Sequence, residues 1–139
     1  MQTFKNVSLF LAVLLMVFGF STTSVFAKAP AKAAYNVQIT DVLTMGATST
    51  LSGFVEAVNY AGSFNSYGIV VSWGDNTSTV YSSLSALGFV NTGTVFYGTY
   101  QFSHIYQYPG AYPVQVKLYK NSPSSSPLAS TTTVVWPTF

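Results

Sequence analysis

From Tyr35 to the carboxyl end, apolar and polar residues trade places at every second position, and turn formers interrupt them every eight to fifteen residues. The run Ala111–Tyr119 shows it best: Tyr112, Val114, Val116 and Leu118 point one way, Pro113, Gln115, Lys117 and Tyr119 the other. A period of two is the mark of a strand with one buried face, and no 3.6-residue period competes with it. The same alternation carries Val37 and Ile39 up to a bend at Asp41, then Leu51, Gly53, Val55 and Ala57, then Ile69, Val71 and Trp73. Residues 78–87 and 94–106 are expected to pair across a turn region at Gly88–Gly93. A polar loop over 120–127 leads to a closing strand over 128–136. About seven strands in roughly a hundred residues predict an all-β sandwich.

The first 27 residues belong to a different object. Lys5 and the amino terminus give a positive start, residues 7–20 are apolar apart from Ser8 and Gly19, and Val25-Phe26-Ala27 offers small residues at a cleavage site. This is the pattern of a secretory signal peptide. The apolar stretch is short against the twenty or so residues of a membrane span, so the membrane enters only if this segment is retained. Three parts follow: a signal peptide over 1–27, a short Ala/Pro/Lys tether over 28–34, and one β-sandwich domain over 35–139. The expected location is extracellular, at the cell surface.

After such a cut, four lysines face Asp41, Glu56 and Asp75, leaving a formal charge of +1. The chain has no arginine and no basic cluster, so nucleic acid has no electrostatic footprint here. Weak self-repulsion favours association with like copies or with a wall polymer. There is no cysteine, which excludes disulfides, thiol chemistry and zinc sites built on thiolates.

The inventory for catalysis is thin. The three acids lie on separate strands or turns, whereas a glycosidase pair needs two carboxyls about 5–9 Å apart. His104 is the single histidine, and no nucleophile-elbow glycines accompany any of the serines. No phosphate loop or metal-ligand cluster is present, so no catalytic residue, cofactor or metal is expected.

His104 instead falls within a linked pair of motifs. "IVVSWGDNTSTV" is followed some thirty residues later by "HIYQYPGAYPVQVKLY". This resembles the polycystic kidney disease (PKD) domain, an immunoglobulin-like β-sandwich, on Trp73, Gly74, Asp75, His104, Tyr106, Pro109, Gly110, Tyr112, Val114 and Leu118. The resemblance covers roughly residues 35–136. Two positions depart from it: Asn76 stands where glycine is usual, and Pro113 replaces a strand former. Asparagine tolerates a left-handed turn, and Pro113 implies an edge position or a bulge. Trp73 is expected to plug the core, and Asp75 to accept backbone N–H groups at its turn. His104 should bond backbone across the turn, and Tyr112 should tie a loop to the sheet as a tyrosine corner does. Asn76-Thr77-Ser78 is also an acceptor pattern for N-glycosylation.

Two functions stand open. The first is a non-catalytic structural module that assembles with itself or with other cell-surface proteins, as a surface filament or layer component. In its detailed form residues 28–40 would add as a donor strand to a neighbour's sheet; the simpler alternative makes Tyr35–Thr40 the first strand of its own sandwich. The second is adhesion to polysaccharide or cell-wall polymer through an aromatic platform drawn from Tyr97, Tyr100, Tyr106, Tyr108 and Tyr119.

Overall fold

A computed structural model describes residues 29–139. The proposed signal peptide lies outside that range. Eight strands run in chain order: β1 (Ala34–Met45), β2 (Thr48–Val58), β3 (Tyr67–Ser72), β4 (Ser78–Tyr81), β5 (Val90–Asn91), β6 (Val95–Ile105), β7 (Tyr112–Lys120) and β8 (Ala129–Val135). They form two four-stranded antiparallel sheets, ordered β1-β2-β6-β5 and β4-β3-β7-β8. The domain is an all-β sandwich, as the alternation implies.

The core lies between the sheets. Leu51, Val55, Ala57 and Phe96 of the first sheet meet Ile69, Val71, Val114, Val116 and Leu118 of the second, all fully buried. Every inward residue named for β2 and β3 from sequence is in place. Two glycines make room for aromatic rings inside the ladders. Gly53 sits under the ring of its cross-strand partner Tyr100, whose hydroxyl donates to the Gln38 carbonyl at 2.7 Å. Gly68 sits in the same way under Tyr119. Tyr119 does point outward, yet it is buried, because its ring lies flat on the glycine rather than in water.

Residues Ala34–Ile39 pair with Gly53–Val58 of the same chain, so this segment is the first strand of its own sandwich. A register shift between Ile39 and Asp41 supplies the bend expected at Asp41.

Two expectations need correction. The 78–87 and 94–106 segments do not pair with each other: β4 pairs with β3, and β6 pairs with β2 and with the two residues of β5. The tight turn after Trp73, closed by Trp73 N–H donating to the Thr77 carbonyl, commits β4 to the neighbouring strand. The chain over 82–89 then crosses to the other sheet, burying Leu84 and Phe89 on the way. Pro113 is on neither an edge strand nor a bulge. It pairs with Val134 on central β7, two residues beyond Gln115, where β3 has already stopped. No partner on the β3 side asks for its missing N–H.

Candidate functional site

Trp73 directly follows β3 and is fully buried, and its indole N–H donates to Thr79 Oγ1 at 2.9 Å. The turn that follows needs left-handed backbone at Gly74 (φ 82°) and Asn76 (φ 66°). Gly74 also lies against Pro113 with no room for a Cβ, which explains a glycine there on two grounds. Asparagine supplies the second left-handed position at low cost.

The turn presents Asp75. Its Oδ1 accepts from the Thr77 backbone N–H at 3.1 Å and from the Thr77 hydroxyl at 2.5 Å. Its Oδ2 meets His104 Nε2 at 2.7 Å. His104 was expected to bond backbone; it bonds this carboxylate instead, because β6 carries it directly above the turn. Its ring stacks on Trp73 (4.8 Å between centroids, 12° between planes) and meets Tyr106 edge-on. Tyr106, also buried, donates its hydroxyl to the Trp73 carbonyl at 2.9 Å, and its ring stacks on Tyr112. Tyr112 donates to the Tyr108 carbonyl at 3.0 Å, tying the loop down as a corner tyrosine does. Pro109 and Gly110 form the turn before β7, where Gly110 N–H reaches the Pro137 carbonyl.

Trp73, Asp75, His104, Tyr106 and Tyr112 thus stack or bond into one cluster where β3, β6 and β7 meet. Burial pushes the Asp75 carboxyl up, but the Thr77 hydroxyl, the His104 ring and the Thr77 amide outweigh it and hold the group below its ordinary value of 3.8. Burial pushes the Tyr106 hydroxyl well up, with the Asp75 charge adding to it. Thr77 and Thr79 were missed from sequence. The signal was there: a threonine two residues after an aspartate closes an Asx turn.

The arrangement does not resemble a proton relay. In a relay the imidazole touches nucleophile and carboxylate through different nitrogens. Here Asp75 Oδ2 and Thr77 Oγ1 (3.4 Å) crowd the same Nε2, and the threonine hydroxyl donates to the aspartate. A cleft of about 230 Å³ lies beside them, lined by Ile105, Gln107, Tyr108 and Tyr112. Among the described residues no group of three His, Cys, Asp or Glu side chains could hold a metal. Asn76 is exposed at the tip of the turn, open to modification.

The tyrosines do not form a platform. Tyr100, Tyr106 and Tyr119 are buried, while exposed Tyr97 and Tyr108 lie near the start and beyond the end of β6. A shallow groove of about 480 Å³ does open beside Tyr97 on the outer face of the first sheet, lined also by Phe54, Glu56, Val90 and Thr99.

Exposed apolar side chains gather at one end of the sandwich. Met45 and Ile105, each 70% exposed, flank Thr48 in one row across β1, β2 and β6. The carboxyl-terminal segment reaches the same end, with Thr138 N–H on the Gly46 carbonyl, and carries exposed Trp136 and Phe139 on either side of that bond. Leu43, two residues before Met45, and Tyr108, three after Ile105, are exposed as well.

No protein-family model matches this chain, and no relative was found among the curated proteins.

Proposed function

We propose that this is an exported, non-catalytic module of immunoglobulin-like, PKD-type architecture that builds cell-surface structure by associating with copies of itself. The observation that carries the reading is the apolar end formed by Leu43, Met45, Ile105, Tyr108, Trp136 and Phe139. Scattered exposed apolar residues are ordinary, but several large ones brought to one end of a sandwich favour an interaction surface. Asp75 and His104, one residue before Ile105, are paired with each other. The strand order supports the architecture: β1-β2-β6-β5 facing β4-β3-β7-β8 follows the A-B-E-D and C′-C-F-G arrangement of immunoglobulin-like domains. The motif supports it too, since its polar atoms serve the fold and leave no group poised for chemistry. Negative-stain electron microscopy of the purified protein tests the proposal. Filaments or ordered layers are expected; isolated particles of monomer size at every concentration would refute it.

A second reading, a polysaccharide-binding module, draws on the groove at Tyr97. An exposed ring beside Phe54, with the Glu56 carboxylate and the Thr99 hydroxyl at hand, offers a sugar both a stacking face and polar partners. Titration with wall polysaccharide separates it: binding lost in Tyr97→Ala favours this reading, and absence of binding removes it.

A further inference from the structure

We propose that a second copy of this chain docks on the open edge of β6, the two β6 strands pairing antiparallel about a two-fold axis. The inference rests on the self-assembly reading above and adds to its apolar end a second contact, the β6 edge.

On its outer side β6 is paired only at Phe96 and Tyr97, with β5. The ladder fixes which groups face that side. Thr92 N–H donates to the Val95 carbonyl on the β5 side, and Tyr106 N–H donates to the Ala47 carbonyl on the β2 side. Backbone groups alternate sides along an antiparallel strand. The amides and carbonyls of Thr99, Gln101, Ser103 and Ile105 therefore point away from β2, and among the described residues no strand receives them. Seven residues, roughly 23 Å of strand, form a template for addition.

Natural edges of that length are blunted by charge, proline or bulges. Residues 99–105, Thr-Tyr-Gln-Phe-Ser-His-Ile, contain no lysine, arginine, acid or proline, and the β2–β6 register runs through them without a shift. Nothing on the edge repels an identical edge.

The ends of the open stretch argue for a second copy over an unrelated strand. One end is blocked where Phe89 covers Gly98 and β5 begins; the other is the end of β6 itself at Ile105. A two-fold axis at Phe102 maps one limit onto the other. Thr99 then faces Ile105 of the second copy and Gln101 faces Ser103, so all four outward residues are paired without meeting β5. The exposed Ile105 side chain comes to rest beside Thr99 of the second copy, at the rim of its groove of Phe54, Val90 and Tyr97. An apolar residue leaves water and meets an apolar floor.

The chain has no cysteine, so Gln101→Cys/Ser103→Cys introduces its only thiols. Facing Cβ atoms about 5 Å apart are close enough for a disulfide after a small shift. Mild oxidation is expected to give covalent dimers at least roughly tenfold faster than Thr132→Cys, on the exposed face of β8, because pairing raises the local thiol concentration. Gln101→Pro removes one outward amide without touching the β2 ladder, and should shift wild-type oligomers to smaller species in sedimentation velocity at unchanged circular dichroism. If that variant fails to fold, Ser103→Lys, which puts a charge on the edge, serves the same measurement. Crosslinking at the control rate, or edge variants that assemble like wild type, would overturn the proposal. Two failures remain distinguishable. A wild type that stays monomeric defeats the self-assembly reading and this one with it, whereas oligomers indifferent to the edge variants defeat the edge alone.

Discussion

Asp75 carries more of the fold than its exposed turn suggests. One carboxylate accepts from the Thr77 amide, the Thr77 hydroxyl and the His104 ring, and through His104 it fixes the ring that stacks on Trp73. Removing its charge leaves those donors with a weaker partner, so Asp75→Asn should cost about 1.5–3 kcal/mol, the scale for hydrogen bonds to a charged group. Chemical denaturation at neutral pH measures it. The pH dependence has a definite sign. The Asp75 carboxyl is held below its ordinary 3.8 by these donors, so the folded state favours the charged form. Its contribution is complete above that ordinary value and disappears as pH falls through the lower folded value. Wild type should therefore lose stability on acidification below about pH 4, and Asp75→Asn should lose less over the same window. Equal acid slopes would mean that the carboxylate contributes nothing to folding. At Trp73 a different effect decides. Truncation to alanine opens a large cavity between the sheets and should cost roughly 3–5 kcal/mol; an unchanged melting temperature would remove it from the core.

Individual strands were legible where alternation decides. β2, β3 and β7 match their inward residues, since a one-residue slip would turn each apolar set into water. Partnering was less legible, because alternation says which face is buried and nothing about which edge is paired. That is why 78–87 was set beside 94–106: both alternate, and only the closed turn at Trp73–Thr77 shows that β4 belongs to β3. The reading of the motif around His104 as structural came from its resemblance to the PKD pattern. The carboxylate partner of His104 was not legible, because residues 29 apart in sequence meet only once β3 and β6 lie in facing sheets. Tyr119 illustrates the same limit, an outward residue buried by a cross-strand glycine. Gly53 offers the corresponding test within β2. A methyl there collides with the Tyr100 ring, so Gly53→Ala should destabilise by about 1–3 kcal/mol despite the higher strand propensity of alanine. A neutral or stabilising effect in thermal unfolding would mean that Tyr100 does not lie over the glycine.

At the scale of the whole molecule, polar groups are arranged for a well-tied interior and apolar groups are left outside. Among the described residues no buried side-chain nitrogen or oxygen lacks a hydrogen bond. Yet Met45, Ile105, Tyr108, Trp136 and Phe139 are each more than three-fifths exposed at one end. A chain with so little charge gains nothing in solubility from such a surface, and the proposed self-association would take it out of water. Sedimentation velocity over a wide concentration range, for wild type and for Met45→Lys/Trp136→Lys, tests this most directly. Both substitutions lie on exposed side chains, so the variant should keep the wild-type fold. The account predicts a wild-type sedimentation coefficient that climbs with concentration beyond the monomer, and a variant that forms only smaller species, no larger than the β6-edge pair. A wild type that remains monomeric throughout, or a variant that assembles equally well, would contradict it.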